Sequence, residues 1–108
     1  MQAERINFLL EQLESDPTDP FNYYALAIEY KDNQPDKALT YFNKLLADFP
    51  DYLPTYYHAA ALLFENGSIS EAEATYKLGI NLAEKLNKEK TLRELKSAYQ
   101  MFLDEIDE

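Results

Sequence analysis

The sequence predicts an all-α protein built from about six antiparallel helices. Apolar residues recur at spacings of three and four along most of the 108 residues, which is the period of a helix with one buried face. No segment shows the sustained apolar–polar alternation that is typical of a β-strand. The chain also has only two glycines and five prolines, so few residues interrupt the helical pattern.

Each predicted helix carries its own apolar face. The spacing within each face places its members on one side of a helix, where they can be buried together. In chain order, the six faces consist of Ile6, Leu9, Leu10 and Leu13; Tyr23, Leu26, Ala27 and Tyr30; Ala38, Phe42, Leu45 and Phe49; Tyr56, Ala59, Ala60 and Leu63; Ala72, Tyr76, Gly79, Ala83 and Leu86; and Leu92, Leu95, Tyr99, Phe102 and Ile106.

Two helix starts carry a proline signal. Asp19 precedes Pro20, which places an N-cap acceptor directly before a first-turn proline. Proline is tolerated there because its missing N–H would have no partner inside the helix. Pro35 predicts the start of the third helix in the same way.

The turn between the fourth and fifth helices carries two further signals. Gly67 is placed to end the fourth helix in the left-handed conformation that glycine adopts easily. Ser68 and Glu71 have the spacing of a capping box, and Ser70 with Glu73 offers the alternative register.

Charge and composition exclude several classes of function. Ten basic residues against twenty acidic ones give a formal net charge of −10, which opposes nucleic-acid binding. The absence of cysteine excludes disulfides and thiol chemistry. No apolar run has the length of about 20 residues that a membrane span requires, and the N-terminus lacks the features of a signal peptide. We therefore expect a cytoplasmic protein without membrane insertion.

No motif predicts catalysis or cofactor binding. His58 is the only histidine, and the positions three and four residues away carry Pro54, Thr55, Ala61 and Leu62, none of which is a strong metal ligand. We expect no enzyme activity, no cofactor and no metal site.

The sequence repeats itself at about 34 residues. A pair of helices repeating with this period predicts a helical solenoid. The matched positions are Pro20 and Pro54, Tyr23 and Tyr57, Ala25 and Ala59, Ala27 and Ala61, Ala38 and Ala72, and Phe42 and Tyr76.

These positions resemble the tetratricopeptide repeat (TPR) family. The family's first helix has an aromatic residue, a Leu–Gly/Ala pair and a second aromatic residue at fixed spacing. Tyr23, Leu26, Ala27 and Tyr30 fit this pattern closely in the first repeat. The second repeat fits it more loosely, with Tyr56, Ala59, Ala60 and Leu63.

The family's second-helix pattern is met with two departures. It asks for a small residue, an aromatic residue, a further small residue and a closing proline, and the matches are Ala38, Phe42 and Pro50 in the first repeat and Ala72, Tyr76 and Gly79 in the second. Leu45 replaces a small residue, and Glu84 replaces the proline. We therefore expect the fifth helix to continue to about Leu86.

The resemblance implies a right-handed solenoid of helix hairpins, as in a small stand-alone bacterial TPR protein. We expect a single TPR-like domain over residues 1–108 with two full repeats between two capping helices. The bounds are 3–15 for the N-terminal capping helix, 19–50 for repeat 1, 51–86 for repeat 2 and 89–106 for the C-terminal capping helix.

The first helices of the two repeats can be aligned in two ways that differ by one residue. They can be aligned at 33 or 34 residues, and the two choices rotate the inner face by about 100°. We prefer 33, because it matches Tyr23 with Tyr56 and Tyr30 with Leu63.

By resemblance, the first helices line a concave groove that binds a peptide. Ordinary packing between repeats is the alternative role for their aromatic residues. Lys31 is the only cation in the matching stretch, so a carboxylate clamp for chaperone tails is not expected. The groove candidates are Phe21, Tyr24, Ile28, Lys31, Tyr57, Ala61, Phe64 and Glu65.

The predicted function is a non-catalytic interaction module that binds a protein or peptide partner. The first alternative is a homodimer or larger structural assembly that uses the aromatic face for self-association. The second is a co-chaperone without a carboxylate clamp.

Overall fold

The computed structural model describes residues 2–107 and contains six α-helices over that range. Met1 and Glu108, the two ends of the predicted domain, lie outside the described residues. The helices are α1 (Gln2–Ser15), α2 (Pro20–Tyr30), α3 (Pro35–Asp48), α4 (Pro54–Glu65), α5 (Ile69–Lys85) and α6 (Glu89–Ile106). Over residues 2–107 no strand is present, which confirms the all-α prediction.

The contacts divide the chain into two compact units. The first unit ends at Thr55, and the second begins at Tyr56. In the first unit, α1 packs on α2 and α2 packs on α3; in the second, α5 packs on α6. In the part of the chain that is described, no helix is both long and apolar enough to cross a membrane.

The predicted start of α2 is confirmed. Asp19 is the N-cap, and its carboxylate accepts a hydrogen bond of 3.0 Å from the backbone N–H of Phe21. Pro20 follows in the first turn. An acceptor at this position satisfies one of the N–H groups that a helix start leaves without a partner.

The helix α1 is fixed to α2 by polar bonds as well as by apolar contact. Leu9 is the buried residue of α1. The buried Asn22 donates from its amide to the backbone carbonyls of Gln12, at 3.3 Å, and Asp16, at 3.2 Å. The Gln12 carbonyl also accepts from the backbone N–H of Asp16 at 2.9 Å, so the Asn22 amide adds a second bond where α1 ends.

The turn between α4 and α5 confirms one prediction and contradicts another. Gly67 has a φ of 84°; its N–H donates to Phe64 at 3.0 Å, and the N–H of Ser68 donates to Leu63 at 2.9 Å. This pair of bonds is a Schellman motif. Ser68 is also the N-cap of α5, but its side chain makes no capping bond. The predicted capping box with Glu71 is therefore wrong, because the bond to Leu63 holds Ser68 at a ψ of 70° instead of extended backbone.

The end of α5 uses the same motif with asparagine in place of glycine. Asn87 has a φ of 57°. Its N–H donates to Glu84 at 3.1 Å, and the N–H of Lys88 donates to Ala83 at 3.0 Å. Since Glu84 stands where the family has proline, α5 passes through this position and ends at Lys85.

Burial supports the 33-residue register of the first helices. Tyr23 and Tyr56 are both buried, whereas Tyr57, the match at 34 residues, is 42% exposed. Tyr30 and Leu63, which also match at 33, are buried as well. The 33-residue register therefore places Tyr56, and not Tyr57, on the inner face of α4.

In the second unit, Gly79 lies at a close approach of α5 to α4. A Cβ atom added to Gly79 would lie 2.6 Å from the Cβ of Tyr56 and 3.3 Å from Cδ1 of Leu95. The backbone-proximal Tyr56 Cβ of α4 leaves no room for a methyl group at this point, and Leu95 of α6 would have to shift by a few tenths of an ångström. Close packing of this kind makes even a one-carbon change costly.

We predict that Gly79→Ala destabilises the protein by about 1–3 kcal/mol, because the added methyl group meets the Tyr56 Cβ. Helix propensity alone predicts the opposite sign, a gain of about 1 kcal/mol. The matched control is Ala74→Gly at an exposed position of α5, which should cost about 1 kcal/mol by propensity. Urea unfolding measures both changes, and a stabilised Gly79→Ala variant would contradict the close approach.

Candidate functional site

A hollow of about 440 Å³ opens on the surface of the second unit. Residues of α4 and α6, with one residue of α5, line it. Its size is within the range of about 300–1,000 Å³ that ligand sites in proteins occupy. The apolar residues that line it are Tyr57, Phe64, Tyr76, Ala98, Met101 and Phe102.

The floor of the hollow is a cluster of aromatic rings in mutual contact. Phe102 is buried and contacts Phe64 edge-on, with ring centroids 5.1 Å apart, and Tyr76 at 5.5 Å. Tyr99 stacks on Phe102 at 6.0 Å, and its hydroxyl donates to a Glu73 carboxylate oxygen at 2.8 Å. Edge-on and offset contacts of this kind are the arrangements that aromatic rings prefer, and they stabilise the cluster.

The rim of the hollow is exposed and mixed in character. Tyr57 is 42% exposed and Met101 is 62% exposed, so both present apolar surface to solvent. Arg93 and Glu94 lie near the start of α6, and Glu105 lies in its last turn. The charged groups of the rim are therefore spread along about 18 Å of helix.

Two carboxylates raise the pKa of the tyrosine hydroxyl in the floor of the hollow. Burial raises the pKa of the Tyr76 hydroxyl, and Tyr57, Glu105 and Glu65 raise it further. Negative charge near a phenol disfavours the phenolate, which explains the direction of the pKa shift. The end of the hollow beside Glu105 and Glu65 is thus a region of negative potential.

A second hollow, of about 400 Å³, lies in the first unit at the C-terminal end of α3 and the turn that follows. Burial raises the pKa of the Tyr52 hydroxyl in its wall, and Tyr24 and Asp19 raise it further. Its lining consists of Pro20, Asp48, Phe49, Pro50, Asp51 and Tyr52.

Four of the eight predicted groove residues lie in the first unit, and none of them lines either hollow. Phe21 is 50% exposed. Tyr24 is half-buried and contacts the ring of Tyr52 edge-on at 5.8 Å. Ile28 is half-buried in α2, and Lys31 is its half-buried C-cap residue.

The other four predicted residues lie on α4, and two of them come together. Tyr57 and Phe64 line the hollow of the second unit. Ala61, between them on the helix, is half-buried and does not line it. Glu65 is exposed at the end of α4 and contributes to the raised pKa of Tyr76.

The contribution of α6 to this hollow does not follow from the sequence pattern. The pattern places Phe102 on the apolar face of a capping helix and predicts no role for Met101 or Glu105. The available signal was Met101, an apolar residue that falls outside the stripe of its helix and is 62% exposed. Exposed apolar side chains beside a cavity indicate a contact surface more often than isolated ones do.

His58 is half-buried on α4, and its ring contacts that of Tyr57 at 5.4 Å. Among residues 2–107, no group of three or more histidine, aspartate or glutamate side chains is arranged to hold a metal ion.

The fold and the repeated burial pattern define a helical-repeat protein. The tetratricopeptide repeat family model matches residues 29–86. The chain belongs to the tetratricopeptide repeat family.

Solved structures of this family are similar to the chain. A solution NMR structure of a tetratricopeptide repeat domain protein from Salinibacter ruber has 39% sequence identity, a TM-score of 0.74, and an alignment that covers 81% of this chain and 89% of that one. A crystal structure of a tetratricopeptide repeat domain protein from the same organism has 38% identity and a TM-score of 0.73, with coverage of 78% and 96%. No curated protein sequence matches the chain.

The raised pKa of Tyr76 predicts a loss of stability in alkali. Because folding favours the neutral phenol, the contribution is complete below the unfolded value of 10.0 and is lost as the pH rises through the higher folded value. We expect Tyr76→Phe to reduce the fall in melting temperature between neutral and strongly alkaline pH. Absorbance titration of the phenolate should show that the ionisation missing from this variant occurs above pH 10.0; ionisation at or below that value would contradict the arrangement.

Proposed function

We propose that this TPR protein binds a segment of a partner protein in the hollow of the second unit and performs no chemistry. The observation that supports this proposal is the combination of an aromatic floor with exposed apolar side chains, Tyr57 and Met101, at the rim. A preformed apolar surface binds a side chain without an ordering cost of its own.

Family membership supports the same class of function. TPR folds generally mediate protein–protein interaction, and TPR proteins are typically non-catalytic. The anchor that we propose is an aliphatic or aromatic side chain of the partner, since rings and a methionine form the contact surface. Methionine is suited to this position because its flexible side chain adapts to different partners.

The predicted groove residues of the first unit are proposed as a separate contact. Phe21 is the most accessible of them, and Lys31 supplies a positive charge near the end of α2. We further propose that α1 and α6 are the capping helices of a single TPR-like domain, and that the protein acts in the cytoplasm.

Self-association is the competing function. Leu78 on α5 is 57% exposed and Phe8 on α1 is 55% exposed, so apolar surface is available outside the hollow as well. A homo-oligomer would bury some of this surface between copies. Sedimentation equilibrium of the wild-type protein distinguishes partner binding from self-association. If a second copy fills the hollow, the protein should sediment as an oligomer, with no monomer left to bind a partner.

The double variant Tyr57→Ala/Met101→Ala should lose the partner while keeping its fold, because both side chains are exposed. The matched control is Leu78→Ala, which removes an exposed apolar side chain that does not line the hollow. Pull-down from the source cell's lysate, with circular dichroism to check helicity, measures the effect. Capture of the same partner by the wild type and the double variant would contradict binding in the hollow.

A further inference from the structure

We infer that the segment bound in the hollow is basic: it inserts one apolar side chain against Tyr57 and Met101, and it carries a lysine or arginine beside the Glu105 carboxylate. This inference rests on the proposed function and specifies the chemistry of the partner. The distribution of charge around the apolar surface supports it.

The apolar contact and the negative charge lie side by side on one helix. Met101 and Glu105 are four residues apart on α6, so their side chains are neighbours on the same face. Both line the hollow. A basic side chain close to the apolar anchor of a partner segment would therefore reach Glu105 while the anchor remains in place.

A second carboxylate strengthens the potential at this end. Glu65 and Glu105 both act on the hydroxyl of Tyr76, which lines the hollow. Within residues 2–107, neither of these glutamates takes part in an ion pair. A partner cation would therefore not have to displace a cation of the protein.

The opposite end of the hollow carries one positive charge with a carboxylate beside it. Arg93 lies about 18 Å along α6 from Glu105, and its neighbour Glu94 also lines the hollow. The carboxylate of Glu94 offsets the charge of Arg93, so this end offers little attraction to an acidic group. The charge distribution thus places the basic residue of the segment at the Glu105 end.

The net charge of the whole chain acts in the same direction. A formal charge of −10 attracts basic segments from a distance and repels acidic ones. Because Glu65 and Glu105 are exposed, their attraction is screened by salt. The preference for basic segments should therefore be largest at low ionic strength.

The test begins with a phage library of random dodecapeptides, selected on the full chain at low salt. The peptides that are retained should be enriched in lysine or arginine close to an aromatic or aliphatic residue. Their dissociation constants are then measured by fluorescence anisotropy with synthetic labelled peptides. The selected basic peptides should bind several-fold more weakly at high salt.

A charge reversal with a matched control locates the preference. Glu105→Lys should weaken the selected basic peptides by about tenfold at low salt and improve binding of versions whose lysines are replaced by glutamate. Asp104→Lys changes the net charge equally at an adjacent exposed position that does not line the hollow, so it should have a much smaller effect. Both variants change exposed residues and should keep the fold.

The outcomes separate this inference from the proposed function. Selected peptides that depend on Tyr57 and Met101 but show no basic enrichment, or that respond equally to Glu105→Lys and Asp104→Lys, would overturn the inference and leave the proposed function intact. If no selected peptide loses affinity for the Tyr57→Ala/Met101→Ala variant, the proposed function fails and the inference fails with it.

Discussion

At Gly79, α5 passes so close to α4 that a methyl group would lie 2.6 Å from the Cβ of Tyr56. This contact fixes which side of α4 faces α5. Successive residues on a helix differ by about 100°, so holding Tyr56 against α5 places Tyr57 on the side of α4 that borders the hollow. Phe64 is seven residues after Tyr57 and lies on the same side of the helix, where both residues line the hollow with α6. The candidate site is thus a consequence of how the hairpin packs.

In the first unit, different side chains form the corresponding contact between the two helices of the repeat. Leu45 occupies the position that corresponds to Gly79, and it is completely buried. Tyr23, the counterpart of Tyr56, is also buried and contacts the ring of Phe49 at 5.6 Å. A leucine therefore fits at this position of the second helix in repeat 1, whereas an added methyl group clashes at the same position in repeat 2. Departures from a repeat pattern indicate where the packing of individual repeats differs.

Local chemistry made most of the fold predictable from the sequence. Asp19 with Pro20, and Gly67 at a left-handed position, act within one turn of chain, so their effects can be inferred without knowledge of tertiary structure. The capping box at Ser68 was not formed, because the same residue also closes α4. The hollow was predicted only from the α4 side, with Tyr57 and Phe64. Its other wall depends on which face of α6 stays uncovered, and periodicity alone could not show that Met101 would line a cavity.

The 33-residue register requires Ala60 to face inward and Ala61 to face outward. Ala60 is completely buried, whereas Ala61 is partly exposed. The most direct measurement is therefore the unfolding free energy of Ala60→Leu beside that of Ala61→Leu. The register predicts a loss of about 1–3 kcal/mol for Ala60→Leu through overpacking and a change of less than about 0.5 kcal/mol for Ala61→Leu. Equal losses, or a larger loss for Ala61→Leu, would contradict it.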